Sequence, residues 1–234
     1  MATTGGHTIK AFDDDLDRLR ALISEMGGLA EHGIRESMRC LVEHDHEGAK
    51  KVVEEDRKLD ALETETERRA VQLIALRAPM AGDLRDVVAA LKISSVVERI
   101  GDYAKNIAKR VPLLDQISNI EPLSLMPEMA RIATEMVHDV INAFVQRDAD
   151  AALRVIERDK AVDDFYNSIF RTLLTYMMEN PHNIGQSTHL LFVAKNVERV
   201  GDHATNIAEM VYYAATGDHL GDRPKGEDPL VGGQ

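Results

Sequence analysis

Val97-Glu98-Arg99-Ile100-Gly101-Asp102-Tyr103-Ala104-Lys105-Asn106-Ile107-Ala108 returns one hundred residues later as Val197-Glu198-Arg199-Val200-Gly201-Asp202-His203-Ala204-Thr205-Asn206-Ile207-Ala208, with nine of twelve positions identical. In the first copy Val97, Ile100, Ala104 and Ile107 recur at the three- and four-residue steps of a helix, while Glu98, Asp102 and Asn106 stand four apart on another side. The stretch reads as an amphipathic helix, present twice. Upstream the duplication continues at a shift of 103: Val52, Glu54, Asp56 and Asp60 become Val155, Glu157, Asp159 and Asp163, and Asp45 becomes Asp148. The shifts differ because the later helix-helix turn is about three residues shorter in the second copy. Self-similarity on this scale means two copies of one supersecondary unit.

Working outward, few aromatics, no Trp and abundant Ala, Leu, Glu, Arg and Met favour helices throughout. The periodicity predicts an all-α chain of six long helices, at roughly 8–44, 47–77, 82–112, 124–147, 149–179 and 187–215. Breaks are expected at Asp45-His46, Pro79, Pro112, Asp148 and Pro181. Residues 1–114 form the first three-helix repeat, 115–127, with Pro122 and Pro127, the linker, and 128–216 the second repeat. The tail 217–234, rich in Gly, Pro and Asp, reads as disordered.

A net charge of -12 opposes binding to nucleic acid or anionic lipid, and no basic patch is visible along the sequence. Lys and Arg alternate with acids, as in Glu54-Glu55-Asp56-Arg57-Lys58, the pattern of a solvated helix face. No run of about 18 apolar residues occurs, and Met1 to Lys10 lacks the layout of a secretion signal, so a cytoplasmic location is expected. The single cysteine, Cys40, can form neither an internal disulfide nor a cysteine-based zinc site.

The chemistry lies in the acids. Glu98, Asp102 and Asn106 form a column of oxygen ligands, and Glu198, Asp202 and Asn206 its twin. Asp56 with Asp60, and Asp159 with Asp163, add carboxylate pairs on the preceding helices. With 40 acidic residues in 234, one such pair carries no information, and local periodicity turns the column outward. Recurrence of the whole set in both halves is what argues for ligation. An all-oxygen set suits hard or borderline cations such as iron, manganese or magnesium, and tolerates zinc. Gly101 and Gly201 each cost about 1 kcal/mol in a helix, which implies close approach of a neighbouring helix or room for a ligand. Arg99 and Arg199 are positioned to neutralise or hydrogen-bond the acids. Glu43 with His46 and Glu135 with His138 match the Glu-x-x-His pairs of di-iron bundles, but they do not align under the repeat.

These columns, together with Pro79-Met80-Ala81-Gly82-Asp83-Leu84-Arg85, resemble the PhoU family of bacterial phosphate-uptake regulators from about residue 12 to 217. Asn183 and Gly185 stand where the second repeat would carry counterparts of Asp83 and Arg85. The resemblance implies two tandem pseudo-symmetric three-helix bundles. It also implies iron or zinc clusters on Asp56, Asp60, Glu98, Asp102, Asp159, Asp163, Glu198 and Asp202, with manganese or magnesium as further candidates. By the same resemblance the chain is expected to restrain phosphate uptake and phosphate-starvation signalling by binding rather than catalysis. Its expected partners are the sensor histidine kinase PhoR and the transporter ATPase PstB, at the inner face of the membrane, with a homodimer by analogy and no nucleic acid. The alternative function is a carboxylate-bridged metal oxidase or iron-storage protein.

Overall fold

The computed structural model describes residues 4–114 and 121–221, and the side chains of residues 12–114 and 123–221. Its long helices are α1 (Thr4–Glu43), α2 (His46–Arg77), α3 (Ala81–Ala108), α4 (Glu121–Gln146), α5 (Ala149–Glu179) and α6 (Ile184–Thr216). Single 3-10 turns occupy Val111–Leu113 and Pro181–Asn183. No described helix is long and apolar enough to cross a membrane.

The repeated aspartates start helices. Asp45 accepts a hydrogen bond from the Gly48 amide at 2.8 Å, and Asp148 from the Ala151 amide at 2.9 Å, satisfying one of the open N–H groups at the start of α2 and α5. Just before each cap, His44 (φ 54°) and Arg147 (φ 55°) take the left-handed conformation that reverses the chain. Gly217 (φ 85°) closes α6 in the same way, its amide bonded to the Tyr213 carbonyl. The linker expectation needs correction, because α4 begins at Glu121 and therefore includes Pro122 and Pro127. Pro122 falls in the first turn, where an amide is not needed. Pro127 deletes only the bond that the Leu123 carbonyl would accept. Residues 115–120 of the expected linker, and 222–234 of the expected tail, lie outside the described residues.

Each half is a three-helix bundle. α2 lies on α1 and α3, α5 lies on α4 and α6, and the halves meet where α1 packs on α4 and α3 on α6. The inner four helices thus form a ring, with α2 and α5 outside it. One buried cluster runs through both halves, including Leu19, Ile23, Met26 and Ile34 of α1, Ile93 and Ile100 of α3, Met129 and Met136 of α4, and Val193 and Val200 of α6. Gly27 keeps α1 close to α4: a Cβ there would stand 2.9 Å from the Ile141 side chain. Tyr103 and His203, equivalent under the repeat, touch across the junction with Oη 3.1 Å from Nε2. The pseudo-twofold axis therefore passes between them. Asp86, 2% exposed, pairs with Arg20 of α1 at 3.0 Å and with Arg147 at the end of α4 at 3.3 Å, tying the halves together.

Candidate functional site: two acidic seams

The antiparallel turn between α2 and α3 brings Asp56 and Asp60 beside Asp102 and Glu98, and the turn between α5 and α6 does the same for Asp159, Asp163, Asp202 and Glu198. Each glycine makes the approach possible. A Cβ on Gly101 would overlap the Leu59 side chain and lie 3.4 Å from Asp56 Oδ1, and one on Gly201 would lie 3.0 Å from Asp159 Oδ1. Close helix packing is therefore what both glycines serve. A cavity of about 30 Å³ beside Gly101 and Asp56 is only water-sized.

The seams are covered only in part. Where α2 packs on α3 and α5 on α6, the Asp56 side chain is 6% exposed and that of Glu198 12%, whereas Asp60 and Asp202 stay exposed as periodicity implies. Each seam also carries an ammonium, from a different place in the repeat. In the first, Lys105 Nζ donates to Asp56 Oδ2 at 2.5 Å and to Asp102 Oδ1 at 2.6 Å. Burial disfavours its charge, but the two carboxylates outweigh burial and raise its pKa. The repeat places Thr205 there, with a buried Oγ1 that has no hydrogen-bond partner, so the second seam lacks this bridge. Instead Lys195, which replaces Ser95, donates to Glu198 Oε1 at 2.7 Å.

What remains unbalanced is carboxylate. Glu98 is pushed up to about 7, first by burial and then by Asp102, Glu63, Asp60 and Asp56. Burial raises Glu198 too, against the opposing bond from Lys195, and its Oε2 is buried with no partner. Asp163 rises through burial and then through Asp202. Carboxylates whose burial and mutual repulsion disfavour their charge are charge-compatible with a divalent cation. In the side-chain arrangement present, however, no group of three His, Cys, Asp or Glu side chains among the described residues converges closely enough to hold a metal ion. The donor chemistry of the seams fits a hard cation, and occupancy of the first requires Lys105 to swing away.

Two expectations are corrected by these contacts. Arg99 and Arg199 do not serve the acids: Arg99 lines a groove between α3 and α6, and Arg199 lies over the Tyr103 ring, 5.9 Å from its centre. That groove gathers Arg85, Lys92 and Arg99, with His203, His219 and one carboxylate, Glu209, into a mainly basic patch that a linear reading does not show. The three cations stand seven residues apart, so they share a face of α3 although acids and apolar residues separate them in sequence. The Glu-x-x-His pairs take part in surface ion pairing. Glu135 binds Arg131 and Arg158, and His138 Nδ1 lies 3.2 Å from Glu31.

Comparison with known proteins adds to this geometry. The family model for the PhoU domain matches twice, over residues 23–111 and 126–211. A phosphate-specific transport system accessory protein PhoU homolog of Zymomonas mobilis is 54% identical over 226 residues, 97% of this chain and 95% of that protein. A homolog of the same description from Caulobacter vibrioides is 47% identical, over 94% of this chain and 96% of that protein. Among solved structures, PhoU from Pseudomonas aeruginosa superposes with a TM-score of 0.84 at 34% identity, covering 88% of this chain and all of that one. The phosphate transport system regulatory protein PhoU from Streptococcus pneumoniae gives 0.82 at 26% identity, over 89% of this chain and 99% of that one.

Proposed function

Because the chain belongs to the PhoU family, we propose that it is an accessory protein of phosphate transport that represses uptake and phosphate-starvation signalling when phosphate is plentiful. It acts by binding, as an adaptor between the transporter ATPase PstB and the sensor histidine kinase PhoR, in the cytoplasm and at the inner face of the membrane. The observation that carries this reading is the double family match combined with near full-length identity to a phosphate-transport accessory protein. The fold supports it: long amphipathic helices in two bundles offer extended surfaces for partner helices or domains. Affinity capture from phosphate-rich cells should recover both the kinase and the ATPase with the tagged chain. Recovery of neither would remove the adaptor role.

In the same reading the seams bind metal ions, with iron or zinc the first candidates. Glu98, Asp102, Asp56 and Asp60 would hold metal in one, and Glu198, Asp202, Asp159 and Asp163 in the other. A bound cation would supply the charge compensation that one ammonium per seam leaves incomplete. Calorimetry on wild-type protein and on the double variant Asp102→Ala, Asp202→Ala should show tight binding in the first only. Unchanged stoichiometry in the variant would discard this ligand set.

A further inference from the structure

The groove between α3 and α6 lies on the inner ring, takes in Asn206 of the second column, and has a volume of about 620 Å³, within the range of small-molecule sites. One wall carries Arg85, Lys92 and Arg99, about 10.5 Å apart along α3 from one to the next. The Glu209 carboxylate lines the same groove, and in a chain of net charge -12 three cations spaced along one helix face are a departure from the rest of the surface.

Buried polar atoms point the same way. The Tyr103 hydroxyl and His203 Nε2 share a hydrogen bond whose direction depends on the imidazole tautomer, and His203 Nδ1 is buried without a partner. Arg85 Nε is likewise buried and unpartnered, its guanidinium held against the backbone of Gly217 at the end of α6. Buried polar atoms without partners call for a missing partner. Val88, Val96, Met210 and Tyr213 supply an apolar wall, with Asn206 and Glu209 beside it, and Tyr213 stacks on His219 with ring centres 4.2 Å apart. An apolar wall of this kind suits a ligand with an organic body.

The repeat supplies an internal control. At the positions equivalent to Arg85, Lys92 and Arg99 the second half has Gly185, Phe192 and Arg199. Arg110 covers Phe192 by lying 4.8 Å over its ring, and Arg199 is engaged with Tyr103. The seven-residue cationic stripe of α3 has no counterpart along α6, although the opposite side carries Lys109 and Arg110 where this groove has Glu209 and Met210.

We propose that this groove binds a small organic phosphate, its phosphoryl oxygens on Lys92 and Arg99, and its apolar or aromatic body against Val96, Met210 and Tyr213. Guanidinium forks suit phosphoryl oxygens, and the overall negative charge disfavours an extended nucleic acid in the same place. The test titrates sodium pyrophosphate and ATP into the full chain by calorimetry, with a chelator present so that metal at the seams plays no part. ATP should bind saturably, one per chain, and more tightly than pyrophosphate. Lys92→Gln and Arg99→Gln should each weaken it by about tenfold, the loss of one charge-assisted bond. Arg110→Gln, on the opposite side of the axis, should stay within about twofold of wild type, with circular dichroism checking the fold of every variant. Absence of saturable binding by both probes, affinity unchanged in the Lys92→Gln, Arg99→Gln double variant, or an equal loss in Arg110→Gln would each overturn the proposal.

Discussion

At the scale of single residues, the two halves differ where their sequences agree. Gly101 and Gly201 share a motif, yet a side chain at the first meets Leu59, whereas at the second it meets the movable Asp159 carboxylate and Val162 at 3.4 Å. Overpacking costs about 1–3 kcal/mol and replacing a helical glycine returns about 1 kcal/mol. Gly101→Ala should therefore lower the urea midpoint clearly and Gly201→Ala leave it nearly unchanged; a stabilised Gly101→Ala would contradict the packing described. Glu98 gives a second expectation, with a sign fixed by its pKa near 7 against an ordinary 4.5. In metal-free protein the folded state keeps this proton longer than the unfolded state, so the associated stability is complete below pH 4.5 and is lost as pH rises through 7. Glu98→Gln should then melt higher than wild type at pH 8 and level with it at pH 4, and an equal gain at both pH values would count against it. All eight acids were legible from the duplication, because it survives in linear order. The ammonium groups that answer them were not, since Lys105 and Lys195 sit at positions where the repeat is broken.

At the scale of elements, helix count and order followed from periodicity, and several ends followed from chemistry that is local. Asp45 and Asp148 recur because each caps a helix. Asp148→Ala should cost about 1 kcal/mol in chemical denaturation, whereas a cost near zero would mean that the cap is replaced by water. Residues without a sequence signature for their conformation are harder to read. Ala78 (φ 47°) ends α2 in the left-handed region that favours glycine, so Ala78→Gly should raise stability by a few tenths to about 1 kcal/mol in the same assay. Pro127 misleads in the other direction. Proline reads as a break, but near a helix start it forfeits one bond, and Leu123, Met126, Met129 and Ala130 repay that by burial in the core.

At the scale of the whole molecule, the decisive feature is that the two bundles share one core through α1, α3, α4 and α6. Sequence periodicity shows that a helix has an apolar face but not which helix covers it, so the inner ring, the Tyr103 and His203 junction and the basic groove became visible only in three dimensions. Cleavage within residues 115–120 should leave the halves associated at neutral pH, eluting as one species in size-exclusion chromatography; separation into two monomeric fragments would mean that the shared core contributes little. The proposed regulation belongs to this scale as well. The central claim is tested most directly by a phosphate-starvation reporter in the host growing in phosphate-rich medium. Deletion of the gene should switch the reporter on and the wild-type chain supplied in trans should silence it again, whereas a reporter that stays silent in the deletion strain would contradict the regulatory role.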